Sequence, residues 1–504
     1  MGVCHQMLAD AGCAVESVRL MPGAEPARIV SDAAPQCLVV LFVDEFGAWT
    51  LPWAADIRSV LPGTPLAVAG VFPTLDPERA IAAEGVEMLV VGESDLPLVD
   101  LASQLSRGGD VSTLRNVWMK RAGRVDRNPL RPAAESLDAL PYANRDLLDV
   151  LPMEPDGPKT AVFASRGCPF ECQFCYSPQM KRVYESKGPY YRVRSPQNVA
   201  AELLAESRRR PEARVVFADE VFPTDREWLQ AFSSRVKGRL TRGMTVSLIA
   251  ERCDAGTLDL LQVAGCDRIA LGIETGSDSF RRRLSGRNQS GDRILTLVRE
   301  AGERGMRLDA HCMAGLPLES APLLEDTERL LASLAPVAIR LRMFHPIPGT
   351  GLASGQAVTE SPDFNRPRTV APDLTADALR AHQTRLHFAA IATRIAGVPP
   401  AQGYYDFVRE LPRARFVMRQ PGDVDAGVAT VSGRPLSWLS VAANAEVRFA
   451  HTPNPGDWLV FSLLAGAQPS GGHAASAATV AAEVLWREAS AEHQIGRASC
   501  RERV

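Results

Sequence analysis

The sequence predicts an α/β protein in three parts: a truncated flavodoxin/Rossmann-like sheet domain, a partial (β/α)6 TIM-like barrel, and an α+β C-terminal region. Three observations carry this expectation. Apolar runs alternate with helix-period segments twice along the chain, a polar Pro-rich stretch separates the two series, and the second series holds six strand–helix units.

Within residues 1–108, Val3–Ala11 reads as helix, Ala14–Leu20 as strand and Ala24–Ala33 as helix. The run CLVVLFV at 37–43 is a buried strand, followed by a helix from Trp53 to Leu61. Then come strand 65–69, helix 77–83, strand 87–92 and helix 96–105. Uninterrupted apolar strands between helices are what a parallel sheet covered on both faces requires. A five-stranded doubly wound sheet needs one more strand before the first helix, so the N-terminus reads as truncated. Residues 109–157 are polar and rich in proline, and read as a linker.

The barrel is expected over 158–355. Its strands fall at 160–165, 214–218, 244–249, 268–273, 307–312 and 338–343, with helices near 196–209, 225–237, 255–264, 291–304 and 321–334. Two units fewer than eight leave it open. Residues 356–494, with a helical run at 375–396 and weak strands after 427, read as a capping and substrate-selecting region. The last ten residues, IGRASCRERV at 495–504, resemble a translated sequencing adapter and are set aside as a non-native tail.

The bulk composition narrows the function. A net charge of −3 gives no pull toward nucleic acid or an acidic membrane surface. No run approaches the roughly 18 apolar residues of a membrane span, and MGVCHQ lacks the features of a signal peptide. The expectation is a cytoplasmic protein with neither nucleic-acid nor membrane partners. Of 10 cysteines, only those at 168–175 cluster. Cys4, Cys13, Cys37, Cys253, Cys266 and Cys312 are dispersed among apolar residues and read as buried small hydrophobes.

The cluster lies in SRGCPFECQFCY at 165–176, just after the first barrel strand, as C-x3-C-x2-C. Three thiolates on one loop can each take a different iron of a [4Fe–4S] cube, leaving the fourth iron without a protein ligand. Electron-transfer clusters mostly use four cysteines. The competing reading, a zinc site, wants a fourth Cys or His close by, and the next histidine is His311. Polar residues recur at later strand ends: Asp219 and Glu220, Glu251 and Arg252, Glu274, and His311. Each alone is equally well read as a solvated strand end or helix cap. Their recurrence on successive strands points to a site at the barrel mouth.

With Phe174 directly before the third cysteine, this motif resembles that of radical S-adenosylmethionine enzymes. The resemblance implies a [4Fe–4S] cluster on Cys168, Cys172 and Cys175 whose open iron chelates S-adenosylmethionine. Reductive cleavage of that cofactor then gives a 5′-deoxyadenosyl radical. Acidic groups at the mouth would be balanced by the cofactor's sulfonium and ammonium. FADE, with Asp219 and Glu220, is similar to a second-strand element near the cofactor's amino group. Glu274 in GIETGS looks like the fourth-strand residue reaching the ribose or methionyl end. GLPLES, with Gly315 and Pro317, resembles a fifth-strand GLPGET turn near the adenine, with Leu318 in place of Gly. HPIPGTGL at 345–352 resembles the turn after the sixth strand, and Tyr176 would flank the cluster.

A Rossmann-like domain ahead of such a barrel resembles the layout of cobalamin-binding radical enzymes. No Asp-x-His-x-x-Gly occurs, and His5 is the only histidine of the first domain. GESD at 92–95 resembles the turn bordering the corrin, which makes Gly92 and Glu93 candidate contacts. The family implies a methyltransferase acting on an unactivated carbon or a phosphinate. It also contains cyclases and rearrangement enzymes, and a non-catalytic cluster-binding sensor is the third reading. Expected partners are a small-molecule or peptide substrate and a reducing donor such as flavodoxin or ferredoxin. No catalytic residue beyond the cofactor-binding set can be assigned.

Overall fold

The computed structural model describes residues 1–18, 25–35, 37–145, 158–334 and 338–353, together with isolated positions from 371 to 386 and three strands beyond 426. The first sheet contains β1 (Val39–Val43), β2 (Leu66–Gly70), β3 (Met88–Val90), β4 (Val117–Arg121) and β5 (Arg124–Arg127), paired in that order. The first three run parallel, whereas β4 and β5 form an antiparallel hairpin on the edge. Apolar residues point both ways. Leu41, Val43, Val68 and Leu89 pack with Ile57 and Phe72 on one face. Ala67, Ala69, Met88 and Val90 pack with Leu98 and Leu101 on the other. Both faces are therefore covered, as the unbroken apolar strands require.

Two expectations change here. Residues 14–18 form no strand, and Arg19 and Leu20 lie outside the described residues. The sheet begins at β1, whose outer edge is paired with no strand among the described residues. Second, the polar stretch after 108 contributes β4 and β5. Their turn residues, Ala122 and Gly123, have φ of 48° and 77°. This is the mirror-image two-residue turn that matches strand twist, made without the usual Asn-Gly signal.

The second sheet is formed by β6 (Lys159–Val162) and, after a two-residue ribbon of β7 (Ser165–Arg166) and β8 (Arg192–Val193), by β9 (Arg214–Phe217), β10 (Met244–Leu248), β11 (Cys266–Glu274), β12 (Arg307–Ala314) and β13 (Ala338–Met343). The six long strands are parallel and lie in chain order, an open partial barrel. Helices at 196–209, 226–236, 255–263, 291–303 and 321–334 cover its outer face. Ser195, Asp225, Asp254 and Ser290 cap four of these helices, each accepting a backbone N–H three residues on. The outward residues of the strands, among them Val215, Val246, Ile269, Leu308, Leu341 and Met343, share one core with these helices. Strand alternation therefore leaves the intervening residues on the inner face. Two short helices that sequence periodicity did not reveal, 177–183 and 278–285, occupy loops at the C-terminal end of the barrel. Beyond 356, β14 (Gly427–Thr430), β15 (Ala445–His451) and β16 (Leu459–Ala465) form an antiparallel sheet. The capping role expected of 356–494 otherwise falls outside the described residues. No helix among the described residues is long and apolar enough to cross a membrane.

Candidate active site

The cysteine loop is pinned at its start. Asp219, just after β9, accepts hydrogen bonds from the backbone N–H of Ala164 (3.0 Å) and Ser165 (2.6 Å) and from the Ser165 hydroxyl (2.5 Å). Burial outweighs these donors and pushes its pKa up to about 6. Asp219 thus holds the loop, which is a different task from facing a ligand. Gly167 follows with φ +79°, and a Cβ there would stand 2.6 Å from the Tyr190 carbonyl oxygen. Only glycine fits the step from β7 into the cysteines.

Cys168, Cys172 and Cys175 sit on this loop, with Cys172 buried and the others half-buried. The Cys175 N–H donates to the Cys172 carbonyl (3.1 Å), and the Ser177 N–H donates to Cys175 Sγ (3.4 Å). Burial pushes the Cys168 thiol up to about 12 and Cys175 up to about 11. It raises Cys172 as well, against the opposing pull of Arg287. Thiols so placed give up their protons to a bound cation rather than to water. Among the described residues no three His, Cys, Asp or Glu side chains close on a single ion. Three cubane ligands differ in kind from such a set, because each takes its own iron.

Beside them lies a residue that motif spacing did not single out. Arg287 Nη2 is 3.1 Å from Cys172 Sγ and 3.5 Å from Glu274 Oε1. Glu274 ends β11 at a register shift, with φ +63°, a strained position for a non-glycine residue. Buried Arg281 fixes this corner, donating to the carbonyls of Ile273 (2.9 Å), Thr275 (2.5 Å) and Gln289 (2.9 Å). Arg287 emerges just after Gly286, the left-handed cap of helix 278–285. The segment RLSGRN carried that signal: a helix stop followed by a cation. The Phe170 ring meets two guanidiniums, Arg252 at 5.3 Å and Arg287 at 5.4 Å. Of the expected pair Glu251–Arg252, both exposed on one turn, Arg252 reaches the loop between the first two cysteines.

Glu220 accepts from the Tyr176 hydroxyl at 2.7 Å, which ties the second-strand element to the residue after the third cysteine. Phe174 packs with Phe280, Leu284, Leu316 and Phe344, so the loop's aromatic seals it against the barrel rim. After β12, Gly315 and Leu316 donate their N–H groups to Glu319 (2.6 and 3.2 Å), whose pKa burial pushes up to about 7. Pro317 lies in that turn, and Leu318 has φ +65°, which explains why glycine suits the position.

The sheet domain presents its strand ends to the same loop. Gly92 has φ +86°, and a Cβ there would stand 2.6 Å from the Tyr184 hydroxyl. Glu93 pairs with Arg192 of β8 and lies 3.9 Å from Arg166 of β7. Asp95 accepts from Arg166 at 3.2 Å. Burial alone would raise the Asp95 carboxyl, but the Arg166 guanidinium holds it below the usual carboxylate range. Gly92 and Glu93 therefore meet the barrel's cysteine ribbon. Nearby, the Phe46 ring after β1 stands edge-on to His345, 6.3 Å between centroids.

Residues 162–331 match the model of the radical SAM superfamily. The chain is 25% identical over 288 residues to an uncharacterized methyltransferase of Pyrococcus horikoshii, covering 56% of this chain and 61% of the relative. It is 24% identical over 340 residues to the anaerobic magnesium-protoporphyrin IX monomethyl ester cyclase of Rubrivivax gelatinosus, covering 64% of this chain and 58% of that enzyme. The chain thus spans only about three-fifths of the length of either relative. Among solved structures, the radical S-adenosylmethionine methyltransferase TsrM of Kitasatospora setae superimposes with a TM-score of 0.55 at 17% identity, over 70% of each chain. At that identity the likeness concerns the fold.

Proposed function

We propose that this chain, whose residues 162–331 form a radical SAM domain, is an enzyme that cleaves S-adenosylmethionine reductively and uses cobalamin as a second cofactor to methylate a carbon. The observation that carries this is the conjunction of three thiols on one pinned loop with the Arg287–Glu274 pair beside them. The donor set fits a cube with one open iron. Bound there, the cluster would supply an electron to the sulfonium of S-adenosylmethionine, giving 5′-deoxyadenosyl radical and methionine.

The chain's own residues do the holding. Cys168, Cys172 and Cys175 would ligate three irons. Arg287 suits a carboxylate through its planar fork, and Glu274 suits an ammonium, so the pair fits the two ends of an amino acid. Glu319 orders the turn Gly315–Leu316 through their N–H groups. Phe174 and its apolar neighbours keep water from the cluster side.

Cobalamin would lie where doubly wound sheets take ligands, outside the carboxyl ends of their strands. Here those ends, with Glu45 and Phe46 after β1, face Glu220 and His345 of the barrel. The solved neighbour from Kitasatospora setae has both cobalamin and a [4Fe–4S] cluster bound. A second reading, radical ring closure on the same two cofactors, is favoured by the likeness to the Rubrivivax cyclase. In either case a reducing donor such as flavodoxin or ferredoxin supplies electrons, and the substrate is a small molecule or peptide.

Anaerobic reconstitution with iron, sulfide and cobalamin tests the cofactor set. The expected result is about four irons per chain, falling sharply in Cys172→Ala, with one corrin retained through gel filtration. Fewer than about one iron per chain, or a stoichiometric zinc in its place, would sink the cluster. Iron without corrin would remove cobalamin alone. Given both cofactors, mass analysis of the product separates an added methyl group from ring closure.

A further inference from the structure

The three sulfurs of the cysteine loop do not meet equal partners. Cys175 Sγ accepts the Ser177 N–H at 3.4 Å and Cys168 accepts the Phe170 N–H, both neutral donors from the loop's own backbone. Cys172, the buried one of the three, faces a guanidinium as well, with Arg287 Nη2 3.1 Å from its Sγ. That guanidinium is held in place from several sides. The Gln173 N–H, next to Cys172 along the loop, donates to the Leu284 carbonyl at 2.8 Å. The Arg287 N–H, three residues on, donates to the Ser285 hydroxyl at 3.2 Å. The Phe170 ring lies against the guanidinium at 5.4 Å. Cys172 and Arg287 therefore keep a register set by backbone on one side and an aromatic ring on the other. The charge is only partly met. Glu274 Oε1 stands 3.5 Å away, longer than a charge-assisted hydrogen bond, and the buried Arg287 Nε has no hydrogen-bond partner among the described residues.

The reduction potential of an iron–sulfur cluster depends on its net charge, on hydrogen bonds to its sulfurs and on its exposure to solvent. One-electron reduction adds negative charge that spreads onto the ligating thiolates. A cation 3.1 Å from one of them favours the reduced form, and burial keeps water and salt from screening it. We propose that Arg287 sets the potential of the cluster, its donation to Cys172 Sγ making the one-electron reduced state easier to reach. A reducing donor of given potential then holds a larger share of the enzyme in the reduced form. Arg252 offers the natural contrast: it lies 5.3 Å from the same Phe170 ring but is exposed, so water screens its charge. This deepens the radical reading of the same site and rests on its cluster.

Potentiometric titration of the anaerobically reconstituted full chain tests the inference without turnover. Dithionite supplies the electrons and is oxidised, and electron paramagnetic resonance reads the reduced cluster. S-adenosylmethionine is left out, because its carboxylate suits the same guanidinium. Iron is counted first in each protein, at about four per chain. Arg287→Gln keeps an N–H donor and loses the charge. The expected reduced-to-oxidised ratio is about tenfold below wild type at the same potential, the low end of the worth of a hydrogen bond to a charged group. For one electron that is a midpoint about 59 mV more negative. Arg287→Lys keeps the charge without the planar fork and should fall about threefold short. Arg252→Gln removes the screened cation and should stay within about twofold of wild type. Equal midpoints in wild type and Arg287→Gln, or an equal shift in Arg252→Gln, overturn the inference. If only Arg287→Gln takes up no iron, the threefold shift of Arg287→Lys, or its absence, decides. Failure of both Arg287 variants to take up iron also overturns it, because Arg287 would then be needed to build the cluster and not to tune it. The two readings fail separately. Wild-type protein that takes up no iron removes the cluster, whereas matched midpoints in iron-loaded proteins remove this inference alone.

Discussion

The N-terminal sheet and the barrel use the carboxyl ends of their parallel strands in different ways. In the barrel, Glu274 ends its strand against Arg287, which also reaches Cys172, so these polar groups gather around the cysteine loop. In the sheet, Glu93 and Asp95 follow β3 and reach across to Arg192 and Arg166, the two strands of the ribbon that carries the same loop. One set of strand ends surrounds the cysteine loop, and the other holds the platform on which that loop stands. The Tyr184 hydroxyl reinforces this link by accepting the Glu93 N–H at 2.5 Å.

Removing the platform's clamp has a large predicted effect on stability. Arg192→Ala leaves Glu93 without its closest partner in a mostly buried setting, at a cost of about 3 kcal/mol. Urea unfolding should then show the sheet domain melting before the barrel. A single transition at the wild-type midpoint would mean the two regions are not coupled through this pair.

A carboxyl at the barrel mouth sharpens the contrast through its pH dependence. The folded pKa of Glu319 is raised from 4.5 to about 7, so the folded state holds its proton more tightly than the unfolded state does. That contribution is fully present below pH 4.5 and is lost as pH rises through 7. The shift corresponds to about 3 kcal/mol between those limits. Glu319→Gln keeps an oxygen for the Gly315 N–H and should flatten the stability profile across that window. An unchanged slope would mean Glu319 is solvated.

The smallest effect concerns backbone strain. Leu318 is 57% exposed yet held at φ +65°. Leu318→Gly relieves the left-handed penalty and loses little burial, for a net gain of about 0.5–1 kcal/mol read as a raised Tm.

The two regions also differed in legibility. All six barrel strands and the five helices on the outer face followed from apolar period, because each unit is local and its caps are written in adjacent residues such as Ser195 and Ser290. The cysteine loop was plain for the same reason. Arg287 was not, since its meaning depends on a corner made by Arg281 and on a strand end distant in sequence. Asp219 was read from FADE as a cofactor neighbour, and its engagement with Ala164 and Ser165 could not be read there. Glu93 was singled out for a ligand, whereas its partner is Arg192, 99 residues along, and no local pattern announces such a pair. The hairpin after residue 116 was hidden because Ala-Gly is a weak turn signal beside proline-rich sequence.

The most direct test is production of 5′-deoxyadenosine by anaerobically reconstituted protein given dithionite and S-adenosylmethionine, compared with Cys172→Ala treated identically. Wild-type protein should release 5′-deoxyadenosine with methionine, and the variant, lacking one of the three proposed cluster ligands, should release at least roughly a thousandfold less. If wild-type protein carrying a full complement of iron releases none, or if the variant matches it, the three-cysteine loop is not the centre of the chemistry.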